Sequence, residues 1–255
     1  MRSIILSTEN LSIGYKNLTV ARQISLQLEK GQMIALVGSN GIGKSTLLRT
    51  ITQMQAPIAG DVFLQQKPLN SYSVSALSRE VSVVLTSQLP PSNLTVYELI
   101  ALGRQPYTNW LGTLSAVDKS AINDAIALTD VGNLIHKKHY EISDGQLQRV
   151  LIARALAQDT PFIVLDEPTT HLDILHKVAL LKLLKKLSVE TQKTLLYSTH
   201  DVDLAIQLAD EMIVMLPEKT YQNKPCVLIE QGIFNQLFIN SDIIFDANKG
   251  KFMVQ

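Results

Sequence analysis

The feature that most constrains this chain is a glycine-rich segment at positions 38–46. It fills the template G-x-x-x-x-G-K-[ST], in which glycines let successive backbone N–H groups point into one concavity that holds phosphates. The segment consists of Gly38, Ser39, Asn40, Gly41, Ile42, Gly43, Lys44, Ser45 and Thr46. It predicts a nucleoside triphosphate site in which Lys44 reaches the outer phosphates and the Ser45 hydroxyl takes one Mg²⁺ position.

The sequence around this loop favours an α/β fold. The apolar run 33–37 predicts a buried strand before the loop, and residues 46–51 begin a helix after it. Further strands are expected over 61–64, 81–85, 162–165, 194–198 and 212–215, and near Val227, Ile244 and Phe252. Helices are expected over 96–102, 116–128, 147–157, 174–187 and 202–208. The pattern predicts a mostly parallel sheet with flanking helices.

Two regions differ from this alternation of strands and helices. Residues 1–30 alternate in strand fashion and predict a small antiparallel sheet. Residues 87–158 carry helical patterns and no strong strand, so they predict a helical insertion. We therefore expect one domain over 1–255, with a core formed by 1–86 and 159–255 and a helical subdomain over 87–158.

Composition narrows the function further. The 23 Lys and Arg residues balance 23 Asp and Glu residues, so no global field attracts nucleic acid. The single cysteine, Cys226, cannot form an internal disulfide, and its apolar neighbours predict a small buried side chain. No secretory signal and no run of 18 apolar residues occur. A cytoplasmic protein is expected, with any membrane span supplied by another chain.

Two more segments carry recognisable chemistry. Ser143 is a good N-cap residue, and Gly145 allows close approach to the backbone where a helix begins, which predicts a second anion-binding turn. The strand 162–165 ends in Asp166, which can hold Mg²⁺ through water, and Glu167, which can polarise an attacking water. The plainer alternatives are that Ser143 is only a helix cap and that the two carboxylates are a solvated strand end.

The order and spacing of these three segments resemble the nucleotide-binding subunits of ABC transporters, and the resemblance covers essentially the whole chain. It implies a P-loop NTPase core that hydrolyses ATP with Mg²⁺. Residues 169–173 resemble the D-loop, with Asp173 touching a partner subunit. His200 resembles the switch histidine that contacts the γ-phosphate, and Tyr15 the aromatic residue that stacks on adenine. A half-exposed tyrosine and a structural histidine are the alternatives at those two positions.

The resemblance also implies partners. In this family one subunit cannot complete its own site, and two ATP molecules are sandwiched between two copies. The turn containing Ser143, Gly145 and Gln146 would face the phosphate loop of the other copy. Transmembrane permease subunits, and indirectly a substrate-binding protein, are implied as further partners, and nucleic acid is not. The chain would then lie on the cytoplasmic face of the membrane. Glu167, His200 and Lys44 would be the catalytic residues.

Two positions depart from the family pattern. Strand register puts Thr86 where the family carries a glutamine that links Mg²⁺ and the attacking water to the permease. Gln88, two residues on, returns to the same strand face and is the expected Mg²⁺-linked residue if the loop is shifted; otherwise the Thr86 hydroxyl or water serves. Asp144 replaces the commoner glycine and brings a carboxylate near triphosphate, which is unfavourable unless it points away.

The cargo is indicated by residues 102–107 and 110–112, which are similar to the import subfamily that serves iron-siderophore, haem and vitamin B12 permeases. An alternative is that Tyr107 and Trp110 only pack the core of the insertion. Other functional classes are a non-transport ABC ATPase of DNA repair or translation and an export ATPase. A single ATPase unit without heptad runs, net charge or membrane spans favours the importer.

Overall fold

The computed structural model describes residues 3–16, 18–85, 92–237, 243–246 and 250–254. The strands within them are β1 (Ile4–Tyr15), β2 (Leu18–Glu29), β3 (Met33–Gly38), β4 (Ala59–Leu64), β5 (Lys67–Pro68), β6 (Val81–Val84), β7 (Phe162–Leu165), β8 (Thr194–Ser198), β9 (Glu211–Met215), β10 (Thr220–Asn223), β11 (Ile243–Asp246) and β12 (Lys251–Val254). The α-helices are α1 (Lys44–Ile51), α2 (Val74–Leu77), α3 (Val96–Ala101), α4 (Ala116–Thr129), α5 (Asp144–Ala157), α6 (Ile174–Thr191), α7 (Val202–Leu208) and α8 (Pro225–Glu230).

The central sheet has the strand order β10-β9-β3-β8-β7-β6. All neighbours in it are parallel except β10, which pairs antiparallel with β9 at one edge. Its middle strands are buried on both faces, which explains why they read as continuous apolar runs. Because β3, β7 and β8 run in the same direction, the segments that follow them emerge at one edge of the sheet.

Strand alternation divides the apolar core between the two faces of this sheet. Ile34 and Leu36 of β3 point into a cluster shared with α1 and the antiparallel sheet β2-β1-β4-β5. Met33 and Ala35 point the other way, into a cluster shared with the remaining long helices. The sheet is therefore the middle layer between an antiparallel sheet with α1 and a layer of helices.

The predicted helical patterns between β6 and β7 are confirmed as α3, α4 and α5. Helix α5 begins at Asp144, three residues before the predicted start, because Ser143 and Gln146 form a reciprocal capping box. Helix α6 continues to Thr191, four residues beyond its predicted end. The division of the chain at residues 87 and 158 stays a prediction.

A cluster centred on Arg104 holds the insertion together. Its Nε lies 2.9 Å from Asp118 Oδ1 on α4, and Nη1 donates to the carbonyl of Ala157 at the end of α5 at 2.7 Å. The guanidinium lies 3.9 Å from the ring centre of Tyr107, so Tyr107 does pack inside the insertion. Trp110, in contrast, is 92% exposed. The alternative that Trp110 packs the core of the insertion is therefore wrong.

Two predictions near the C-terminal end are wrong. The strand expected near Val227 is helix α8, which Pro225 begins at its first position. Cys226 is exposed, because the helix turns Leu228 rather than the cysteine toward the core. A four-residue apolar run cannot distinguish helix from strand. The strands expected near Ile244 and Phe252 are confirmed as the antiparallel pair β11 and β12.

The predicted α/β fold class is confirmed, with its mostly parallel sheet, flanking helices and N-terminal antiparallel sheet. Among the described residues, no helix combines the length and apolarity needed to cross a bilayer.

Candidate functional site

The glycine-rich segment forms a loop between β3 and α1, as the sequence predicts. Gly43 stands immediately before α1 with φ of 110°, in a region that side chains rarely adopt. A Cβ atom at this position would lie 2.7 Å from Cγ1 of Val20, so the close approach of the β2 side chain also requires glycine. The loop is thus shaped by backbone freedom at its last glycine.

Lys44 folds back over this loop. Its Nζ donates hydrogen bonds to the carbonyls of Gly38 at 2.9 Å and Ser39 at 3.2 Å. Desolvation by burial lowers the pKa of Lys44, and the carboxylates of Glu167 and Asp166 oppose that shift. A phosphate replacing the two carbonyls would add the negative charge that this buried ammonium lacks.

Asp166 lies at the centre of a hydroxyl network. Its Oδ1 accepts hydrogen bonds from Ser45 Oγ at 3.1 Å and from Ser198 Oγ at 2.7 Å. Ser198 also accepts the backbone N–H of Glu167 at 2.8 Å. Three elements, the start of α1 and the ends of β7 and β8, therefore meet at one buried carboxylate.

Glu167 and His200 form the second pair of the site. Oε1 of Glu167 lies 2.7 Å from Nε2 of His200, and Oε2 accepts a hydrogen bond from Thr170 Oγ1 at 3.2 Å. Glu167 has φ of 48°, a strained value for a residue with a side chain. Both side chains remain partly exposed, so an attacking water has access to the carboxylate.

Tyr15 lies beside the loop at the end of β1. Thr46 Oγ1 donates a hydrogen bond to the Tyr15 hydroxyl at 3.2 Å, while the tyrosine is 47% exposed. The ring is thus held next to the phosphate loop with room for a flat ligand against it.

One cavity of about 490 Å³ is lined by nine of the predicted site residues and by Val20. Its lining consists of Tyr15, Val20, Asn40, Gly41, Gly43, Lys44, Ser45, Thr46, Glu167 and His200. We call it the phosphate-loop cavity. An ammonium group, an imidazole, hydroxyls, a carboxylate and an aromatic ring therefore converge on a space large enough for a ligand.

The turn at residues 143–146, which we call the signature turn, does not line this cavity. Ser143 Oγ accepts the N–H of Gln146, and Gln146 Oε1 accepts the N–H of Ser143. A Cβ atom at Gly145 would lie 3.4 Å from Cδ2 of His176, so the turn packs beside the start of α6. Ser143 and Asp144 are exposed, which leaves the turn open for another molecule.

Asp173 lies at the same surface, as the N-cap of α6. Its two carboxylate oxygens contact the backbone N–H of His176 at 2.9 Å and the Nδ1 atom of that residue at 2.8 Å. Those hydrogen bonds, the backbone one first, lower the pKa of Asp173. Asp144, the departure from the family pattern, is the first residue of α5, where a carboxylate is stabilised by the helix N-terminus.

Thr86 and Gln88 lie outside the described residues. The expectation that Gln88, rather than Thr86, is the Mg²⁺-linked residue therefore stays a prediction.

Three residues were missed by the sequence analysis: Ser198, Lys177 and Asp201. Ser198 could have been found from the sequence, because it is a hydroxyl residue at the carboxyl end of an apolar strand. The others depend on contacts between distant segments that no local pattern reveals.

The residues expected to hold Mg²⁺ fit that ion. Ser45, which lines the phosphate-loop cavity, and Asp166, whose Oδ1 lies 3.1 Å from Ser45 Oγ, offer two hard oxygens. Mg²⁺ prefers such ligands and completes its shell with water and substrate phosphates. Among the described residues, no cluster of three His, Cys, Asp or Glu side chains is placed to hold a metal ion.

Comparison with known proteins assigns these features to a family. Residues 21–170 match the family described as ABC transporter. An uncharacterized ABC transporter ATP-binding protein of Methanocaldococcus jannaschii is 38% identical over 235 residues, covering 92% of this chain and 81% of the relative. The achromobactin transport ATP-binding protein of Dickeya dadantii is 36% identical, covering 91% and 87%. The iron(3+)-hydroxamate import ATP-binding protein of Bacillus subtilis is 34% identical, covering 96% and 92%.

Solved structures agree with this assignment. An ABC transporter assigned to the metal-chelate type, in an inward-facing conformation, matches with a TM-score of 0.81 at 25% identity, covering 99% of this chain and 96% of that chain. A dimeric ATP-binding cassette in a post-hydrolysis state, bound to ADP and Pi, matches with a TM-score of 0.73 at 27% identity, covering 86% and 98%.

Proposed function

The chain belongs to the ABC transporter family as an ATP-binding, ATP-hydrolysing subunit, and from that premise we propose that it energises an importer of ferric siderophore, haem or cobalamin. The observation that carries the catalytic part is the phosphate-loop cavity. It holds a phosphate-binding loop with Lys44 beside the Glu167–His200 pair, which is the set of groups that phosphoryl transfer to water requires.

Binding begins with the triphosphate on the loop. Backbone N–H groups of residues 38–46 and the N-terminus of α1 bind the phosphates, and Lys44 leaves its two carbonyl partners for the outer phosphates. The adenine ring stacks on the exposed face of Tyr15. Mg²⁺, bound through Ser45 and Asp166, would supply charge neutralisation at the β- and γ-phosphates.

Hydrolysis then depends on Glu167 and His200, which also line the phosphate-loop cavity. Glu167 polarises a water that attacks the γ-phosphate, so its carboxylate must be unprotonated and pointed at the water. His200 holds one carboxylate oxygen and reaches the same cavity, where its Nε2–H can turn to a phosphate oxygen. Thr170 holds the second oxygen, which limits the rotation of the carboxylate.

We further propose that a second copy completes each site. Ser143, Gly145 and Gln146 lie on an open surface away from the cavity of their own chain. The signature turn offers helix N–H groups and a hydroxyl, which bind anions. In a dimer with two ATP molecules, Asp173 would lie at the same interface.

The proposed class of cargo is inferred from the cargo of related transport proteins. Those relatives include achromobactin, petrobactin and iron(3+)-hydroxamate transport subunits. Transmembrane permease subunits and a substrate-binding protein would then be partners, and the chain would lie on the cytoplasmic face of the membrane. The balanced charge gives no support to a nucleic-acid role.

Two measurements test the proposal separately. Purified full-length chain should release phosphate from ATP with Mg²⁺, and Lys44→Ala should not; equal release by both rejects the site. Uptake of ferric siderophore, haem and cobalamin should then be compared in cells with and without the chain. Loss of one uptake activity, restored by the native chain but not by Glu167→Gln, supports the importer. Unchanged uptake of all three rejects the cargo class while leaving the ATPase intact.

A further inference from the structure

The carboxylate of Asp201 is directed toward two other elements instead of capping its own helix. Asp201 stands at the N-cap position of α7, but its side chain makes no capping hydrogen bond. Oδ1 accepts from Lys177 Nζ at 2.8 Å, and Oδ2 accepts from Thr169 Oγ1 at 3.1 Å. Both carboxylate oxygens are thus used in long-range contacts.

These contacts join the two segments that carry the catalytic pair. Asp201 directly follows His200, and Thr169 lies two residues after Glu167. Lys177, from the first turn of α6, holds the remaining oxygen of Asp201. The contact between His200 and Glu167 is therefore flanked by a second link between the same segments.

The Lys177–Asp201 pair is better protected than an ordinary surface ion pair. The two side chains are only 25% and 26% exposed. On the same helix, Lys186 and Glu190 are 3.8 Å apart and 60% and 45% exposed. A short, partly shielded pair that shares its carboxylate with a buried hydroxyl holds geometry far more firmly than an open pair does.

We propose that Lys177 is a positioning residue for ATP hydrolysis, acting through Asp201 on the contact between His200 and Glu167. The inference rests on the proposed function. Lys177 does not line the phosphate-loop cavity. It fixes the start of α7, and displacement of a catalytic group by about 1 Å can lower a rate substantially.

Matched variants on one helix test this role. Lys177→Met removes the charge and keeps the apolar stem, and Lys186→Met makes the same change at the open pair. We expect Lys177→Met to lower kcat by about tenfold with KM for ATP changed less than about twofold. Lys186→Met should keep native values. Lys177→Arg, which keeps the cation, should return kcat to within about threefold of native.

A double-mutant cycle locates the effect. Asp201→Asn should lower kcat as Lys177→Met does. The variant carrying both changes should be about as slow as the slower single variant, because the two residues act as one pair. Independent, multiplying losses would mean that Lys177 does not act through Asp201.

The remaining outcomes are equally decisive. The role of Lys177 is overturned if Lys177→Met matches Lys186→Met in kcat, if only KM rises, or if Lys177→Arg is as slow as the methionine variant. Should Lys177→Met fail to fold, Lys177→Gln is judged by the same split between kcat and KM. A native chain without ATPase activity overturns the proposed function itself, whereas an active native chain with an unaffected Lys177→Met overturns only this inference.

Discussion

Oε1 of Glu167 and Nε2 of His200 lie 2.7 Å apart at the wall of the phosphate-loop cavity. Each residue lies two residues beyond the end of a strand, Glu167 after β7 and His200 after β8, and these neighbouring parallel strands end at the same edge of the sheet. The other oxygen of Glu167, Oε2, accepts a hydrogen bond from Thr170 Oγ1 at 3.2 Å. The carboxylate is therefore held in orientation before any water or phosphate arrives.

The first prediction concerns that carboxylate. Glu167→Gln should still bind ATP, because the phosphate loop is untouched, but should hydrolyse it about 100-fold more slowly for want of a general base. Phosphate release and nucleotide affinity measure the two effects. Gel filtration with ATP should also reveal a trapped dimer. Native turnover by this variant would exclude Glu167 as the residue that activates water.

The second prediction concerns sites shared between copies. Lys44→Ala should abolish ATP binding, because it removes a charge-assisted phosphate contact. Ser143→Arg should leave ATP bound to the monomer and block dimer closure, since the arginine fills the open signature turn. An equimolar mixture should show activity from mixed dimers, which can build at most one intact site. Loss of nucleotide binding by the isolated Ser143→Arg monomer would contradict the shared arrangement.

The third prediction concerns Gly43. Gly43→Ala places a Cβ atom 2.7 Å from Val20 Cγ1 at a φ of 110°, so ATP affinity should fall by at least about tenfold. Gly112→Ala is the control: the φ of Gly112 is 70°, nothing lies within 4 Å of the new Cβ beyond its chain neighbours, and Gly112 does not line the cavity. That variant should lose about 1–2 kcal/mol of stability without losing ATP affinity. Val20→Ala should restore part of the affinity of Gly43→Ala; if it restores none, the clash is not the cause.

The fourth prediction concerns the ion pair inside the insertion. Hydrogen bonds from Ser115, and then from Arg104, lower the pKa of Asp118 from 3.8 to about 2. A group with a depressed folded pKa stabilises the protein above its unfolded pKa and loses that contribution as pH falls through the folded value. Asp118→Asn should therefore be less stable than native by about 3 kcal/mol at pH 7. The difference should shrink from about pH 4 downward, be mostly lost at about pH 2 and vanish below that pH.

Urea unfolding at both pH values measures that difference. Asp124→Asn, on the exposed side of α4, is the control and should change little at either pH. An equal deficit of Asp118→Asn at pH 7 and pH 2 would mean that ionisation of Asp118 contributes nothing.

The fifth prediction concerns the permease-linked position. Gln88→Ala should lower transport and permease-stimulated hydrolysis far more than ATP binding, because the amide would reach Mg²⁺ only when both partners are engaged. Thr86→Ala should do less. If Thr86→Ala instead abolishes transport while Gln88→Ala transports normally, the threonine hydroxyl fills the permease-linked position and the prediction is wrong.

Much of this fold could be predicted because its patterns are local. The continuous apolar run before Gly38 and the capping residue Ser143 each identify an element from its own sequence. The apolar run at Cys226 failed because four residues fit either a strand or a helix, and the proline before it decided for the helix. Local pattern is sufficient only where it is long or carries a cap.

The same difference between local patterns and long-range contacts applies to the functional site. The phosphate loop, Glu167 and His200 could be predicted from motif order, and the structure gathers them around one cavity. The network through Ser198, Asp201 and Lys177 could not, because its partners are 24 to 32 residues apart in sequence. Whether such side chains meet is decided by strand register and helix packing.

The separation of the signature turn from the phosphate-loop cavity has a consequence for symmetry. If the signature turn binds nucleotide as we propose, each chain carries two unlike half-sites. Contact between the half-sites of different copies can then produce either a closed assembly or an open chain of copies. If a twofold axis relates two copies, each half-site meets its complement at once and the pair is finished, with two nucleotides and no free half-site. A rotation by another whole fraction of a turn would close copies into a ring, and a rotation that does not close would leave one half-site open at each end and let copies add indefinitely. The angle between the two surfaces therefore determines whether ATP produces a pair, a ring or a filament.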